Sequence, residues 1–207
     1  MLNVDTELIA SACMGWLRFG KQFPFVAREA GMFSSDVLGA TLEKVVEIEI
    51  KVSTADFKAD WKKPKHDAYS KLEHVKTRKW HNGLGENSWG QTIPNQFYFA
   101  VPGYMKEFAI EQVKANKPDY GVLELRDNTT AIPNYYMWNR LRVVKRAKVL
   151  HKEKPTMQML VSMASRMSSD LANTYLMRRM DKDWVKLALE SSKAFCEQQG
   201  KSKGLKK

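Results

Sequence analysis

Only two cysteines occur in 207 residues, Cys13 and Cys196, far apart and neither in a C-x-x-C pair. This excludes a disulfide framework and a structural zinc site built on paired thiolates. Histidine is also scarce, and although His66, His74 and His81 fall in one segment, they have no cysteine partners for zinc. Long apolar runs are missing as well. The N-terminal stretch MLNVDTELIASACMGWL begins acidic and carries only a short periodic apolar run, which fits neither a signal peptide nor a membrane span. A cytoplasmic protein that does not span a membrane is therefore expected. Acidic side chains are outnumbered, 23 against 34 Lys and Arg, for a formal net charge of +11. A positive long-range field favours an anionic partner, nucleic acid or an acidic membrane surface, and charge alone does not choose between them.

What is present suffices for one good core, or a core with a small helical appendage, at 43% apolar residues. Leu8, Ile9, Ala12, Cys13, Trp16 and Leu17 recur at helical spacing behind Asp5 and Thr6, predicting an amphipathic helix over 6–18. Residues 22–53 read as three consecutive antiparallel strands with turns near Gly31 and at 42–44. Ser53 opens a capping pattern with Asp56, so a helix is expected over 54–63, ended by Pro64. Residues 70–95 hold His74, His81 and several glycines without periodicity and read as an insertion. The apolar run NQFYFAVP, 95–102, fits a central strand covered on both faces. A helix over about 103–115 and a similar run, YGVLEL, follow. Tyr135–Leu150 is aromatic and then basic, with Arg140, Arg142, Lys145, Arg146 and Lys148. Beyond 155 the periodicity is helical, and six of the eleven methionines fall between 157 and 180, as core filler for a helical pair or as an adaptable protein-binding surface.

The third strand raises the functional question. Alternation puts Glu47, Glu49 and Lys51 on one face and Val46, Ile48, Ile50 and Val52 on the other. Alone, this describes a half-exposed strand with a solvated charged side. A hairpin with Leu42 and Glu43 at its tip, however, pairs Thr41 with Lys44 and places Asp36 across from Glu49. Cross-strand Cβ atoms lie roughly 4.5–5.5 Å apart, so two carboxylates there repel unless a cation stands between them. A hard cation such as Mg²⁺ takes carboxylate oxygens and keeps most of its waters. With Lys51 beside it, such a pair is suited to phosphodiester hydrolysis: the lysine can hold or deprotonate the attacking water and offset developing negative charge.

Asp36 on one strand and Glu49-Ile50-Lys51 on the next resemble the PD-(D/E)XK superfamily, the restriction-endonuclease-like nucleases. Glu49, Lys51, Ser53, Asp56 and Phe57, with the later stretch Phe97–Pro102, are similar to the E-x-K-x-S-x-x-D-F run and F-x-F-A-V-P strand of small nucleases and DNA-repair proteins of the MmcB type. The likeness covers roughly residues 6–126. It implies an α/β fold with a mixed sheet and an αβββαβ core. The chain reads as a nuclease-like domain over 1–154, in which the insertion at about 70–95 departs from the resemblance, followed by a helical extension and basic tail over 155–207 that have no counterpart in it.

The resemblance also implies hydrolysis of DNA dependent on Mg²⁺ or Mn²⁺, in repair, recombination or a phage or mobile-element role. Asp36 and Glu49 are the implied metal ligands, the Ile50 carbonyl a further one, and Lys51 the residue that assists the attacking water. Lys63, Lys65 and His66 after the capped helix, and Arg142, Lys145 and Arg146 in the basic run, are the expected phosphate contacts. Trp80, Trp89 and Trp138 are candidates to stack on unpaired bases. Glu7, Glu29 and Glu47 are candidate supplementary acids, with a solvated strand charge as the competing reading of Glu47. DNA is the expected partner, with a second copy of the chain for duplex cleavage and a protein partner on the C-terminal helices as further candidates. The competing expectation is a nuclease-fold protein that binds DNA or protein without catalysis.

Overall fold

The computed structural model describes residues 6–31, 34–71, 93–126 and 139–177. The chain divides into two compact units, Met1–Met167 and Ser168–Lys207. In the second, residues 168–177 are helical. The division falls later than 154 because residues 157–167 are helical and seat Met159, Leu160 and Met163 in a core cluster of the first unit. The following describes the first unit.

Six strands form one mixed sheet in sequence order: β1 (Phe25–Ala30), β2 (Ser35–Ala40), β3 (Val45–Ile50), β4 (Gln96–Pro102), β5 (Gly121–Leu125) and β6 (Leu141–Lys145). Strands β1, β2 and β3 run antiparallel, β4 and β5 continue parallel to β3, and β6 returns antiparallel at the edge. Gly31, between β1 and β2, sits at φ +83°, a conformation that costs glycine little and an L side chain much. Helix α1 (Thr6–Gly15) continues through a wider turn, Trp16–Gly20. Between β3 and β4 lie α2 (Thr54–Asp60) and α3 (Pro64–Lys71), and α4 (Lys106–Asn116) joins β4 to β5.

The helix expected over 54–63 is thus two. Ser53 caps α2, its hydroxyl accepting from the Asp56 N–H, but the helix stops at Asp60, and Pro64 opens α3. Proline suits a first helical position, where its missing N–H has no acceptor to lose. Strand β6 was not foreseen either: it emerges from the segment read only as basic, pairing with β5 across a register shift at Val122/Leu123.

The two sheet faces differ. Under α1, Val37, Val46, Ile48, Ile50, Tyr98 and Leu123 meet Ile9, Ala12, Cys13 and Leu17 in an apolar layer. On the other face, β1–β2 are covered by Met159, Leu160 and Met163, while β4–β5 present Phe97, Phe99 and Val122 to Phe57, Met105, Val113 and Tyr120. Between these two apolar clusters lies the charged side of β3. All six of its residues are buried, which corrects the reading of a half-exposed strand. Among the described residues no helix is long and apolar enough to cross a membrane.

Candidate active site

The β2–β3 hairpin takes the register counted from the sequence. Thr41 N–H donates to the Lys44 carbonyl at 2.9 Å, and the ladder runs from Ala40↔Val45 to Val37↔Ile48. One step further along, Asp36 stands beside Glu49, and its Oδ2 accepts from the Ile50 N–H at 2.6 Å. Asp36 is half-buried, and its carboxyl is raised above the ordinary value by burial and then by the Glu49 charge, against the Ile50 amide and the charges of Lys51 and Lys63. Two like charges have been brought together at the point expected.

Three lysines converge on the other carboxylate. Glu49 Oε2 lies 3.3 Å from Lys51 Nζ and 3.3 Å from Lys63 Nζ, and its Oε1 pairs with Lys65. Lys65 also reaches Glu47 at 3.1 Å, where the Tyr69 hydroxyl donates at 2.6 Å. Lys65 and Tyr69 are one helical turn apart on α3, which is why both meet the same carboxylate. Burial nevertheless leaves the Glu47 carboxyl raised, the attraction of Lys65 and the Tyr69 bond offsetting it only in part.

Asp60, at the end of α2, ties the group together. Its Oδ1 lies 2.8 Å from Lys51 Nζ and 2.6 Å from Lys63 Nζ, and its Oδ2 is 2.8 Å from His66 Nε2. Burial acts to raise its carboxyl, but the hydrogen bonds from His66, Lys51 and Lys63 prevail and hold it far below the carboxylate range. The same pairing works on the lysines: burial acts to lower Lys51 and Lys63, yet bonds to Asp60 and the nearby Glu49 charge leave both raised. Lys51 is therefore a cation at neutral pH. It can offset negative charge and orient a water, whereas the role of proton acceptor is closed to it in this state.

Other expected residues are placed differently. Lys65 and His66 do not face solvent phosphates; each is 1% exposed, and His66 also contacts the Tyr120 hydroxyl at 3.2 Å. The apolar surroundings that enclose them, Phe97 and Phe99 of β4, make withdrawal costly. Lys145 is turned inward too, donating to the Pro118 and Tyr120 carbonyls at 2.6 and 2.5 Å. Arg142 and Arg146 are exposed, and Lys63 is 48% exposed at its side chain. Glu7 is occupied by Arg28 at 2.5 Å, and Glu29 lies 3.5 Å from Arg166. His74, His81, Trp80, Trp89 and Trp138, and nearly all of the expected insertion, lie outside the described residues. Asp60, Tyr69 and Tyr120 were missed. For Asp60 a signal existed, since Asp56 and Asp60 are four apart and share a side of α2 with the capping serine.

Asp36 and Glu49 fit a hard divalent cation: they offer carboxylate oxygens on one sheet face, and such an ion would offset the Glu49 repulsion that adds to burial in raising Asp36. Two protein carboxylates suffice for Mg²⁺, which keeps several waters. Among the described residues there is no group of three or more His, Cys, Asp or Glu able to hold a metal. No family model, curated protein or solved structure matches this chain.

Proposed function

We propose that this α/β protein is a metal-dependent nuclease with a restriction-endonuclease-like core that hydrolyses phosphodiester bonds of DNA. The observation that carries the reading is the Asp36–Glu49 juxtaposition across β2 and β3, with Lys51 buried on the same side, 3.3 Å from Glu49. The order of elements supports it: a helix, three antiparallel strands, a helical crossover and a strand parallel to the third.

In this reading Asp36 and Glu49 hold Mg²⁺ or Mn²⁺, with the Ile50 carbonyl as a further ligand. The bound ion supplies Lewis acidity toward the phosphate and an acidified water. Asp36 is oriented by the Ile50 amide, Glu49 by its lysines. Lys51, kept charged by Asp60, faces the charge that develops on the phosphate oxygens. Asp60 and His66 act through Lys51 as positioning residues. The exposed Arg142 holds the backbone without reading sequence.

The test is Mn²⁺-dependent cleavage of labelled single-stranded, duplex, nicked, flap and four-way DNA. Wild type is expected to cut at least one form, and Lys51→Ala to lose 10²-fold or more in rate, on the order of an oxyanion-stabilising group. Cleavage that Lys51→Ala leaves intact ends the assignment of Lys51. A second reading rests on a different observation: both Glu49 oxygens are already engaged by ammonium groups, as in a nuclease fold that binds DNA without catalysis. Calorimetric titration with Mn²⁺ separates the two, since only the enzyme has a site that disappears in Glu49→Ala.

A further inference from the structure

On the opposite face of the sheet, under the end of α1, a cavity of about 440 Å³ opens beside the starts of β3 and β4. Val46 and Tyr98 form its floor, which separates it from Glu47 and Glu49 by the thickness of the sheet. Its volume is within the range of small-molecule sites.

The lining has two chemistries. Three aromatic rings contribute, Trp16, Phe23 and Tyr98, with Trp16 and Tyr98 edge to face at 6.1 Å and 73°. Three cations stand around them, Lys21, Lys44 and Arg146, and among the described residues no acid lines the cavity. Lys21 Nζ is 5.2 Å from the Trp16 ring centroid and Lys44 Nζ 5.3 Å from that of Phe23. Each ammonium thus meets a ring face rather than a carboxylate, and among the described residues none of the three cations forms a salt bridge. Like charges gathered around an apolar hollow repel one another, and an anion entering there relieves that repulsion.

We infer that this cavity binds a mononucleotide unit, its base against the Trp16 and Tyr98 rings and its phosphate among Lys21, Lys44 and Arg146. A planar ring carrying a multivalent anion uses both halves of the lining. An aliphatic anion leaves the rings unused, and a neutral aromatic leaves the cations unopposed. The unit is either a free nucleotide or the terminal nucleotide of a single strand, which present the same chemistry to the cavity. The inference is independent of the proposed cleavage on the other face.

The experiment is calorimetric titration of the full chain, without divalent metal, with 5′-dAMP, ribose 5-phosphate and a 5′-phosphorylated tetrathymidylate. At least one of the nucleotide and the oligonucleotide binds; binding of dAMP alone identifies the free nucleotide, and tighter binding of the oligonucleotide identifies a strand end. Ribose 5-phosphate binds at least about tenfold more weakly than the preferred probe, for want of ring stacking. Lys44→Ala and Arg146→Ala each weaken binding about tenfold or more, while Lys114→Ala on α4 does not. Lys44 and Arg146 are exposed, so their removal spares the fold. Absence of binding by both probes at millimolar concentration overturns the inference, as does equal affinity for ribose 5-phosphate or affinity unmoved in both variants.

Discussion

The two sheet faces hold comparable sets of basic side chains in opposite circumstances. On one, Lys51, Lys63 and Lys65 are bound to the buried carboxylates of Glu47, Glu49 and Asp60. On the other, Lys21, Lys44 and Arg146 surround a cavity with no acid in its lining among the described residues. Net charge treats these groups alike, but the first set is paired with carboxylates, whereas the second forms no salt bridge among the described residues. The first is internal machinery, in which each cation fixes a carboxylate. The difference therefore separates residues that position from residues that recruit, and mutations of the two sets should fail in different ways.

The largest effect is expected from Lys65→Met, which nearly preserves volume but removes the cation between Glu47 and Glu49 at a site 1% exposed. Leaving buried carboxylates without their partner costs about 3–5 kcal/mol. Urea unfolding of the variant is the check, and a loss below about 1 kcal/mol would mean that the acids relax or protonate without penalty. Lys44→Ala, across the sheet, is expected to change stability by no more than about 0.5 kcal/mol, as an exposed surface substitution does.

Gly121→Ala comes next and acts on the other face. A Cβ there meets the Tyr98 ring and stands 2.7 Å from the Ala147 nitrogen, so the tyrosine must move and the cavity wall with it. Overpacking of this kind costs about 1–3 kcal/mol. Thermal unfolding should report that loss, with nucleotide binding reduced and the β2–β3 side unaltered. Retention of wild-type nucleotide affinity would show that Tyr98 contributes nothing to the cavity.

Legibility of the sequence followed the range of the interactions. The hairpin register was readable because it depends on a count outward from a short turn, and Asp36 duly reaches the Ile50 amide. The strand at 96–102 was readable because an unbroken apolar run implies cover on both sides, which α1 and α4 provide. The burial of Glu47 and Glu49 was not, because it depends on α3, which starts at a proline read as a terminator. Lys65 and His66 were assigned to a surface for the same reason: without α3, nothing carries them back over β3. The cavity was hidden because Trp16, Lys44, Tyr98 and Arg146 are distant in sequence and no spacing links them.

A smaller effect tests the carboxylate pair. Asp36 is raised above its ordinary 3.8, so its ionised form opposes folding at neutral pH, and protonation as pH falls toward 3.8 relieves that cost. Asp60 is depressed, so its contribution is full above 3.8 and is lost only as pH falls below it. Asp36→Asn keeps an acceptor for the Ile50 amide and removes the repulsion. Without metal at pH 7 its Tm should rise by roughly 1–3 °C, discounted for solvent screening of a half-buried group, while the Mn²⁺ heat disappears. A fall in Tm would place the weight on the Ile50 hydrogen bond, and not on repulsion by Glu49.

Lys63→Ala is expected to do little to the fold and most to clarify how the charged cluster admits a metal. The side chain is 48% exposed, so its pairs with Asp60 and Glu49 are worth at most about 1 kcal/mol. Lys51 and Lys65 are enclosed and cannot leave Glu49 cheaply, whereas Lys63 can swing into water. Its ammonium 3.3 Å from Glu49 Oε2 competes with any second cation for that oxygen, and its charge also acts on Asp36. Removing it deepens the negative potential between the two carboxylates, so Mn²⁺ should bind several-fold more tightly, with the gain shrinking as salt screens the difference. Weaker binding would reverse the argument: Lys63 would then hold Glu49 in place for the ion, joining Lys65 as a positioning residue despite its exposure.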